Sequence, residues 1–532
     1  MKKLTGIGLS VAMIAGLLAG CAGNDKNNTP KENQKPANNE QKNNTGEQEA
    51  KGPTKFSIVY PTTVSSGYHT RVPNLSETKW VTELEKRTNT ELQVSVLEDT
   101  KYGVMFASND IPDVVGAIGG PGDKAMAGSV ESGVFMPLDD LLKEHGPNLL
   151  AQVPENVWDI VRVDGKIYGL PEFLSNPSRR ATFIRTDLLE QTGLQPPKTI
   201  DEFLDVLRAF KEMGVKEPYQ MRENFKYSDL VFGAFDVLPY KDQFEVVDGK
   251  IQPKFFDSEN MMKALETMKT MYQEGLISKE FATISSTDFG NSLEAGNAGI
   301  WSHNATSLMS YRTSVARAVP EAQIDLIPSP VGSEGKGGYF YYPPLIRSFY
   351  INSKVDQDTA VNIIKFFDWM LTDEAATFFS FGIEGDTYTK DANGNIVYEK
   401  PTDKEGQEEA SFRNTLWGVR DAKLNKLEVM MDPSGPDVLK AFDELLPFEG
   451  LPGIGFYPEL DAYNKYPDLT PRGDQGSKLI VDHMVRMIYG KEDIADWPKV
   501  IEEYLAKGGK EILEQANERW NSKQGVVNIT TE

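Results

Sequence analysis

The chain has 532 residues and a formal net charge of −23 at pH 7, from 79 acidic and 56 basic side chains. Nucleic acid and anionic lipid surfaces bind positively charged proteins, so this balance argues against both as partners, although acidity also serves the solubility of secreted proteins. A single cysteine, Cys21, excludes an internal disulfide, and its position near the N-terminus excludes cysteine nucleophiles and cysteine-ligated metals in the body of the chain.

The N-terminus has the features of a lipoprotein signal peptide. Lys2 and Lys3 precede a small and apolar stretch over residues 7–19, which is shorter than the about 20 residues that span a bilayer. The stretch ends in Leu18-Ala19-Gly20-Cys21, which resembles a lipobox. We therefore expect removal of residues 1–20 and a lipid on Cys21 that anchors the protein to the outer face of the cell membrane. The alternative is an ordinary secretory signal with an accidental cysteine.

Residues 21–52 are expected to form a disordered tether. From Ala22 to Lys51 the chain contains no aliphatic residue larger than alanine. Such a segment has no apolar surface whose burial could offset the conformational entropy lost on ordering. The folded body is therefore expected to begin near Pro53.

The first part of the body alternates between strand and helix patterns. Residues 56–60 and 92–97 predict strands, residues 76–87 and 102–107 predict helices, and a third strand follows residue 113 and stops at Gly119-Gly120. This alternation predicts an α/β fold with a parallel sheet covered on both faces. Ligands of such sheets bind at the carboxyl ends of the strands, which places a site in the loops 61–71 and 116–122.

A second α/β unit follows a predicted hairpin turn at Asp164-Gly165. Thr199 and Glu202 form the pattern of a capping box, which predicts a helix that ends at Gly214. Further helices are predicted over residues 358–371 and 372–381, and two or three more lie between residues 477 and 520. The length of the body, roughly 480 residues, is more than one core normally supports, so we expect two lobes.

Seven short motifs follow one another along the body, at residues 137–142, 164–171, 184–189, 197–203, 275–280, 295–301 and 382–388. Each motif is short, and their shared order carries a resemblance that covers nearly all of the chain after Pro53. In this order the chain resembles the family 1 extracellular solute-binding proteins, and within them the large lipoprotein group described as LplA/LipO-like.

The resemblance implies a type II periplasmic-binding-protein-like fold, with discontinuous α/β lobes joined by hinge strands that cross near residues 168–183 and 343–352. It implies lobe one over residues 53–172 and 346–400, and lobe two over residues 173–345 and 401–532. It further implies a monomer that captures a sugar or oligosaccharide in the cleft between the lobes and delivers it to the permease subunits of an ABC transporter.

No metal or other cofactor is expected. Many relatives in this group carry a calcium loop after the helix that the capping box opens, but the corresponding residues 213–219 contain one carboxylate, and calcium needs several oxygen ligands. Residues 391–395 superficially resemble calcium-binding chemistry, but their Asn-Gly pair is typical of a hairpin turn.

Two other classes of function stay open. The sequence has no Gly-x-Ser-x-Gly, His-Glu-x-x-His or phosphate-loop motif, and we therefore do not expect an enzyme. Paired carboxylates of a polysaccharide-active enzyme can be recognised only in three dimensions. A surface adhesin or a sensory subunit is the other alternative.

Sugar sites combine aromatic rings with planar hydrogen-bonding groups. On this basis we select candidates in the first lobe, at the crossings, and in the second lobe. Each has an alternative: the tryptophans could be core residues, and the arginines could pair with local carboxylates instead of a uronate. The candidate ligand-binding residues are, in that order, Tyr68, His69 and Asp110; Arg179, Arg180 and Arg347; and Trp301, His303 and Trp417.

Overall fold

The computed structural model describes residues 52–62, 67–123, 125, 126 and 128–530. The predicted signal peptide, most of the tether and Cys21 lie outside the described residues. Within the described part, no helix is both long enough and apolar enough to cross a membrane.

The strands are numbered in chain order. They are β1 Thr54–Pro61, β2 Thr90–Leu97, β3 Val114–Ile118, β4 Arg162–Val163, β5 Lys166–Ile167, β6 Gly169–Phe173, β7 Arg180–Arg185, β8 Glu217–Gln220, β9 Phe244–Val247, β10 Lys250–Pro253, β11 Ala298–Asn304, β12 Ile324–Ile327, β13 Tyr339–Phe340, β14 Leu345–Ile351, β15 Tyr388–Lys390, β16 Ile396–Tyr398, β17 Gly450–Leu451, β18 Gly453–Phe456 and β19 Val526–Ile529.

The α-helices are numbered in the same way. They are α1 Tyr68–Arg71, α2 Lys79–Thr88, α3 Tyr102–Ser108, α4 Asp139–His145, α5 Pro147–Gln152, α6 Glu155–Ile160, α7 Thr186–Thr192, α8 Ile200–Glu212, α9 Asp229–Ala234, α10 Ser258–Gln273, α11 Ser286–Glu294, α12 Leu308–Ala318, α13 Gln357–Trp369, α14 Asp373–Phe381, α15 Lys404–Leu416, α16 Lys426–Val429, α17 Gly435–Lys440, α18 Ala462–Lys465, α19 Lys478–Ile488, α20 Trp497–Tyr504 and α21 Lys510–Ser522.

The first sheet has the order β2-β1-β3-β14-β6. Strands β1, β2 and β3 run parallel, as the alternating pattern predicts, and β14 is antiparallel to β3 and β6. Ile58 and Phe349 face one buried cluster, while Val59 and Tyr350 face another. Both faces of this sheet are therefore covered, and the carboxyl ends of β1 and β3 meet at one edge.

The second sheet has the order β12-β7-β11-β8 and mixes parallel and antiparallel pairs. Ile184 and Ile300 face the largest buried cluster, whereas Phe183 and Trp301 face a smaller cluster. A third, antiparallel sheet, β10-β9-β18-β19, ties the C-terminal strand to the body.

The buried clusters show how the chain divides. The first core draws residues from 56–173 and again from 345–419, and the second core draws residues from 184–340 and 451–516. Helix α15 and the residues that follow it, including Leu416 and Val419, pack in the first core. The predicted assignment of residues 401–532 to lobe two therefore begins too early, because the apolar face of α15 is buried against the first core.

Local sequence signals account for the main helix and turn boundaries. The predicted capping box is present: Glu202 N donates to Thr199 Oγ1 at 3.2 Å, and Thr199 N donates to Glu202 Oε2 at 3.3 Å. Residues 391–395 form the predicted hairpin turn between β15 and β16, where the Asp391 carboxylate accepts the backbone N–H groups of Asn393 and Asn395 at 2.8 and 2.9 Å.

Candidate ligand-binding site

Three chain segments link the first core to the second, and they lie side by side. They are residues 173–180, 339–345 and 419–425, and we call this region the crossing. Leu174 N donates to Pro344 O at 2.8 Å, and Tyr342 N donates to Pro177 O at 3.0 Å. Phe173 N donates to Arg420 O at 3.0 Å. A hinge of several hydrogen-bonded strands lets two lobes rotate while each core stays packed.

Arg347 on β14 and Glu172 on β6 form a buried ion pair directly beside the crossing. The Arg347 side chain is 1% exposed, and its Nε lies 2.7 Å from Glu172 Oε2. Its Nη2 donates to the carbonyls of Thr415 and Trp417 at 3.1 and 2.8 Å. Arg420 Nε donates to the other Glu172 oxygen at 2.8 Å. The predicted ligand role of Arg347 is therefore wrong in this structure, because its guanidinium is engaged with the protein.

Arg180 is also a buried arginine that is paired with carboxylates of the protein. Its side chain is 1% exposed and forms ion pairs with Asp229 and Asp474. The guanidinium also lies over the rings of Tyr227 and Phe340, at 4.7 and 4.9 Å from their centroids. Arg180 therefore pairs with carboxylates of the protein, which is the alternative to a ligand role, and its guanidinium is too buried to contact a ligand.

Arg179 differs from both. Its side chain is partly exposed, and its backbone carbonyl accepts the N–H of Ala305 at 2.9 Å. The guanidinium lies 5.8 Å from the centroid of the Tyr342 ring. Its Nε is buried without a hydrogen-bond partner among the described residues. Burial lowers the pKa of the Arg179 guanidinium.

Tyr342 and Asn304 adjoin Arg179 and were missed by sequence reasoning. The Tyr342 hydroxyl donates to Asn304 Oδ1 at 3.0 Å, and both side chains are partly exposed. Asn304 ends β11, and Tyr342 follows β13 in the crossing. The run of aromatic residues 339–342 just before Pro343 was the available signal. These two residues bring an aromatic ring and an amide to one place, which is the chemistry that a sugar site needs.

His303 lies beside this pair on β11. Its Nδ1 is 2.7 Å from Ser307 Oγ, and its ring is 4.8 Å from that of Tyr227. Burial, with the positive charges of Arg180 and Lys226, lowers the pKa of His303 to about 4. The imidazole is therefore neutral at physiological pH and acts as a hydrogen-bonding group.

The two selected tryptophans are core residues, which corrects their predicted stacking role. Trp301 is 1% exposed and stacks on Phe183 with ring centroids 5.4 Å apart. Trp417 is 8% exposed, its Nε1 donates to Met370 O at 2.8 Å, and its ring stacks on Phe379 in the first core. Trp417 was also expected in lobe two, but the helix that precedes it packs in the first core.

In the first lobe, Tyr68 and His69 lie on α1, after the carboxyl end of β1, and both are partly exposed. The Tyr68 ring stacks on Phe412 of α15, with centroids 4.8 Å apart. Asp110 is exposed and precedes β3, so it lies at the amino end of that strand, away from the predicted edge. This position does not support the predicted ligand role of Asp110, because the loop at the carboxyl end of β3 begins only after Ile118.

Asp123 occupies the loop after β3 instead. Its carboxylate accepts the backbone N–H of Gly120, and burial raises its pKa. The nearby Gly119-Gly120-Pro121-Gly122 sequence was the signal for this tight loop. Among residues 52–62, 67–123, 125, 126 and 128–530, no three histidine, cysteine or acidic side chains are grouped so that they could hold a metal ion.

Two α/β lobes with separate cores, joined by three adjacent segments that carry exposed aromatic and polar groups, define a two-lobed binding-protein fold. The family model described as "Bacterial extracellular solute-binding protein" matches residues 73–377, which is more than half of the chain. The chain therefore belongs to this family of extracellular solute-binding proteins.

Individual relatives are distant but similar over most of their length. The polygalacturonan/rhamnogalacturonan-binding protein YtcQ of Bacillus subtilis (strain 168) is 24% identical over 96% of each chain. Lipoprotein LipO of the same organism is 26% identical over 83% of this chain and 88% of its own. The structure of an HMO-binding, ABC-transporter-associated solute-binding protein from Bifidobacterium longum infantis covers 89% of this chain and 100% of its own, with a TM-score of 0.63 at 14% identity.

Proposed function

We propose that this protein captures a carbohydrate oligomer between its two lobes and delivers it to the permease subunits of an ABC importer. The observation that carries the proposal is a group of three partly exposed side chains at the crossing. Tyr342 and Arg179 of the crossing and Asn304 of the adjoining β11 bring together an aromatic ring, a guanidinium and an amide. The carbohydrate specificity in the name of YtcQ, which aligns with nearly the whole chain, supports the class of ligand.

The hinge gives the binding event a mechanical consequence. A ligand favours closure only through contacts that it gains when both lobes touch it. Tyr68 and His69 on the first lobe and His303 and Asn304 on the second are the partly exposed groups that could supply such contacts. Closure around the sugar is then the signal that a permease can distinguish from the empty protein.

We further propose that the mature protein is a monomer attached to the outer face of the membrane by a lipid on Cys21, with residues 22–52 as its tether. The lipobox-like sequence before Cys21 supports this, as does the description of LipO as a lipoprotein. For the lobes we propose residues 53–173 and 345–419 for the first, and residues 174–344 and 420–530 for the second. Membership in a family of binding proteins favours a protein without catalytic activity.

A thermal-shift screen against plant, fungal and microbial oligosaccharides tests the proposal. A ligand that binds only the folded state, at a hundredfold excess over its Kd, stabilises the protein by about 2.7 kcal/mol, which is readily measured. Tyr342→Ala should lose the shift, whereas Tyr342→Phe, which keeps the ring, should retain most of it. No shift with any carbohydrate would contradict the proposal.

A further inference from the structure

Three arginines lie in or directly beside the crossing, and they differ in how the protein neutralises their charges. Arg180 is paired with two carboxylates, and Arg347 is paired with Glu172 and with two backbone carbonyls. Both are 1% exposed, and protein carboxylates neutralise both charges, although Arg180 Nε and Arg347 Nη1 are buried without a hydrogen-bond partner among the described residues. A buried charge that lacks such partners is costly, and folded proteins rarely retain one without a use.

Arg179 is the exception. Within the part of the chain that the structure describes, its guanidinium has neither an ion pair nor a hydrogen bond, and its Nε is buried. The Tyr342 ring, 5.8 Å away, offers a weak cation–π contact but accepts no N–H group. The protein therefore engages neither terminal nitrogen of Arg179, and these two nitrogens, unlike the buried Nε, are the donors that a ligand at the crossing can use.

The two carboxylates whose fields reach Arg179 are already engaged elsewhere. Glu172 accepts from Arg347 and Arg420, as described above. Asp421 Oδ1 accepts the backbone N–H groups of Ser175 and Lys423 at 3.1 and 2.9 Å, and its Oδ2 accepts the Ser175 hydroxyl. Neither carboxylate lies within ion-pair distance of Arg179, so the protein itself does not neutralise this cation.

The net charge of the whole chain affects how an anionic ligand can bind. A protein with a net charge of −23 repels an anionic ligand at long range. Binding of an anion therefore needs a local, unpaired and partly desolvated cation. A guanidinium presents its donors in a planar fork that matches the two oxygens of a carboxylate, whereas a single sugar hydroxyl can accept from only part of that fork.

Building on the proposed function, we infer that the ligand is an acidic oligosaccharide and that Arg179 binds the carboxylate of one of its uronate residues. Tyr342 and Asn304 then contact the same or the adjacent sugar ring. Arg179 is thus the residue that selects acidic over neutral carbohydrate, while the two neighbouring arginines hold the hinge together.

The test is calorimetric titration of the full-length mature chain with oligomers of galacturonate, of mannuronate and guluronate, and of glucuronoxylan, each also as its neutral methyl ester. The free acids should bind the wild type, and the esters should bind at least tenfold more weakly. Arg179→Met, which keeps the length of the side chain, should weaken the acids by roughly 10- to 150-fold, the range of one charge-assisted contact. It should leave the affinity for the esters unchanged. Arg179→Lys should be intermediate.

Arg208→Met is the matched control, because Arg208 lies on α8 and carries the same charge in a surface ion pair with Glu274, which follows α10. This variant should bind like the wild type. Without ligand, Arg179→Met should melt at or above the wild-type temperature, since it removes an unpaired charge. Equal binding of acids and esters by the wild type, or an equal loss of both in Arg179→Met, would overturn the inference and leave the proposed function standing. A failure of every oligosaccharide, neutral or acidic, to bind the wild type would overturn both.

Discussion

Replacing Trp301 with alanine separates a packing role from a ligand role. The side chain is 1% exposed, with Phe183 stacked at 5.4 Å on one side and Tyr311 edge-on at 5.5 Å on another. A buried tryptophan removes roughly 200 Å² from water, which at about 25 cal/mol per Å² corresponds to about 5 kcal/mol. Since neighbouring side chains relax partly into the space, we expect a loss of about 3 to 5 kcal/mol.

The assay is urea unfolding without ligand, followed by circular dichroism, on the wild type, Trp301→Ala and Trp301→Phe. Phenylalanine keeps an aromatic ring between Phe183 and Tyr311, so Trp301→Phe should lose less than half as much as the alanine variant. Any oligosaccharide that binds the wild type should bind folded Trp301→Phe with similar affinity. If Trp301→Ala had the same unfolding free energy as the wild type but no longer bound the oligosaccharide, the packing role would be refuted and a stacking role in the site restored.

Three further predictions follow from charge, anchoring and metal chemistry. Burial raises the pKa of Asp242 to about 6, above the roughly 3.9 of an unfolded aspartate. The stabilisation that the protonated carboxyl contributes is therefore fully present below about pH 4 and is lost as the pH rises through 6. Asp242→Asn keeps an acceptor for the Tyr457 hydroxyl and removes the buried charge. It should raise the unfolding free energy at pH 7 by about 1 to 3 kcal/mol and flatten the dependence of that free energy on pH between pH 4 and 6. An unchanged pH dependence would contradict this. Cys21→Ser should move the protein from the membrane fraction to the medium or periplasm, and retention after a salt wash would exclude the lipid anchor. Chelation with EDTA should leave the melting temperature unchanged, and a fall that calcium reverses would reveal a metal site.

The parts of the fold that short-range signals control could be predicted from the sequence. Thr199 and Glu202 are three residues apart, and their capping box begins α8 as expected. Asp391 closes its turn on residues two and four positions away. The parallel strands of the first sheet followed from alternation of strand and helix patterns, because each buried strand needs helices on both faces.

The site was less predictable because its partners are distant in sequence. Arg180 pairs with residues 49 and 294 positions away, and no local pattern marks either carboxylate. The sequence could therefore not tell Arg180 from Arg179, although they are adjacent. Trp301 lies on a strand that is buried on both faces, so its position in the strand does not reveal whether it faces a core or a cleft.

Small-angle X-ray scattering of the mature protein, free and saturated with an oligosaccharide identified by calorimetry, measures whether the two lobes close on a ligand. If the three crossing segments act as a hinge and both lobes hold the ligand, the lobes move closer together on binding. The bound state should then have a smaller radius of gyration and a smaller maximum dimension than the free state. A saturated protein whose scattering is identical to that of the free protein would contradict capture by closure of the two lobes.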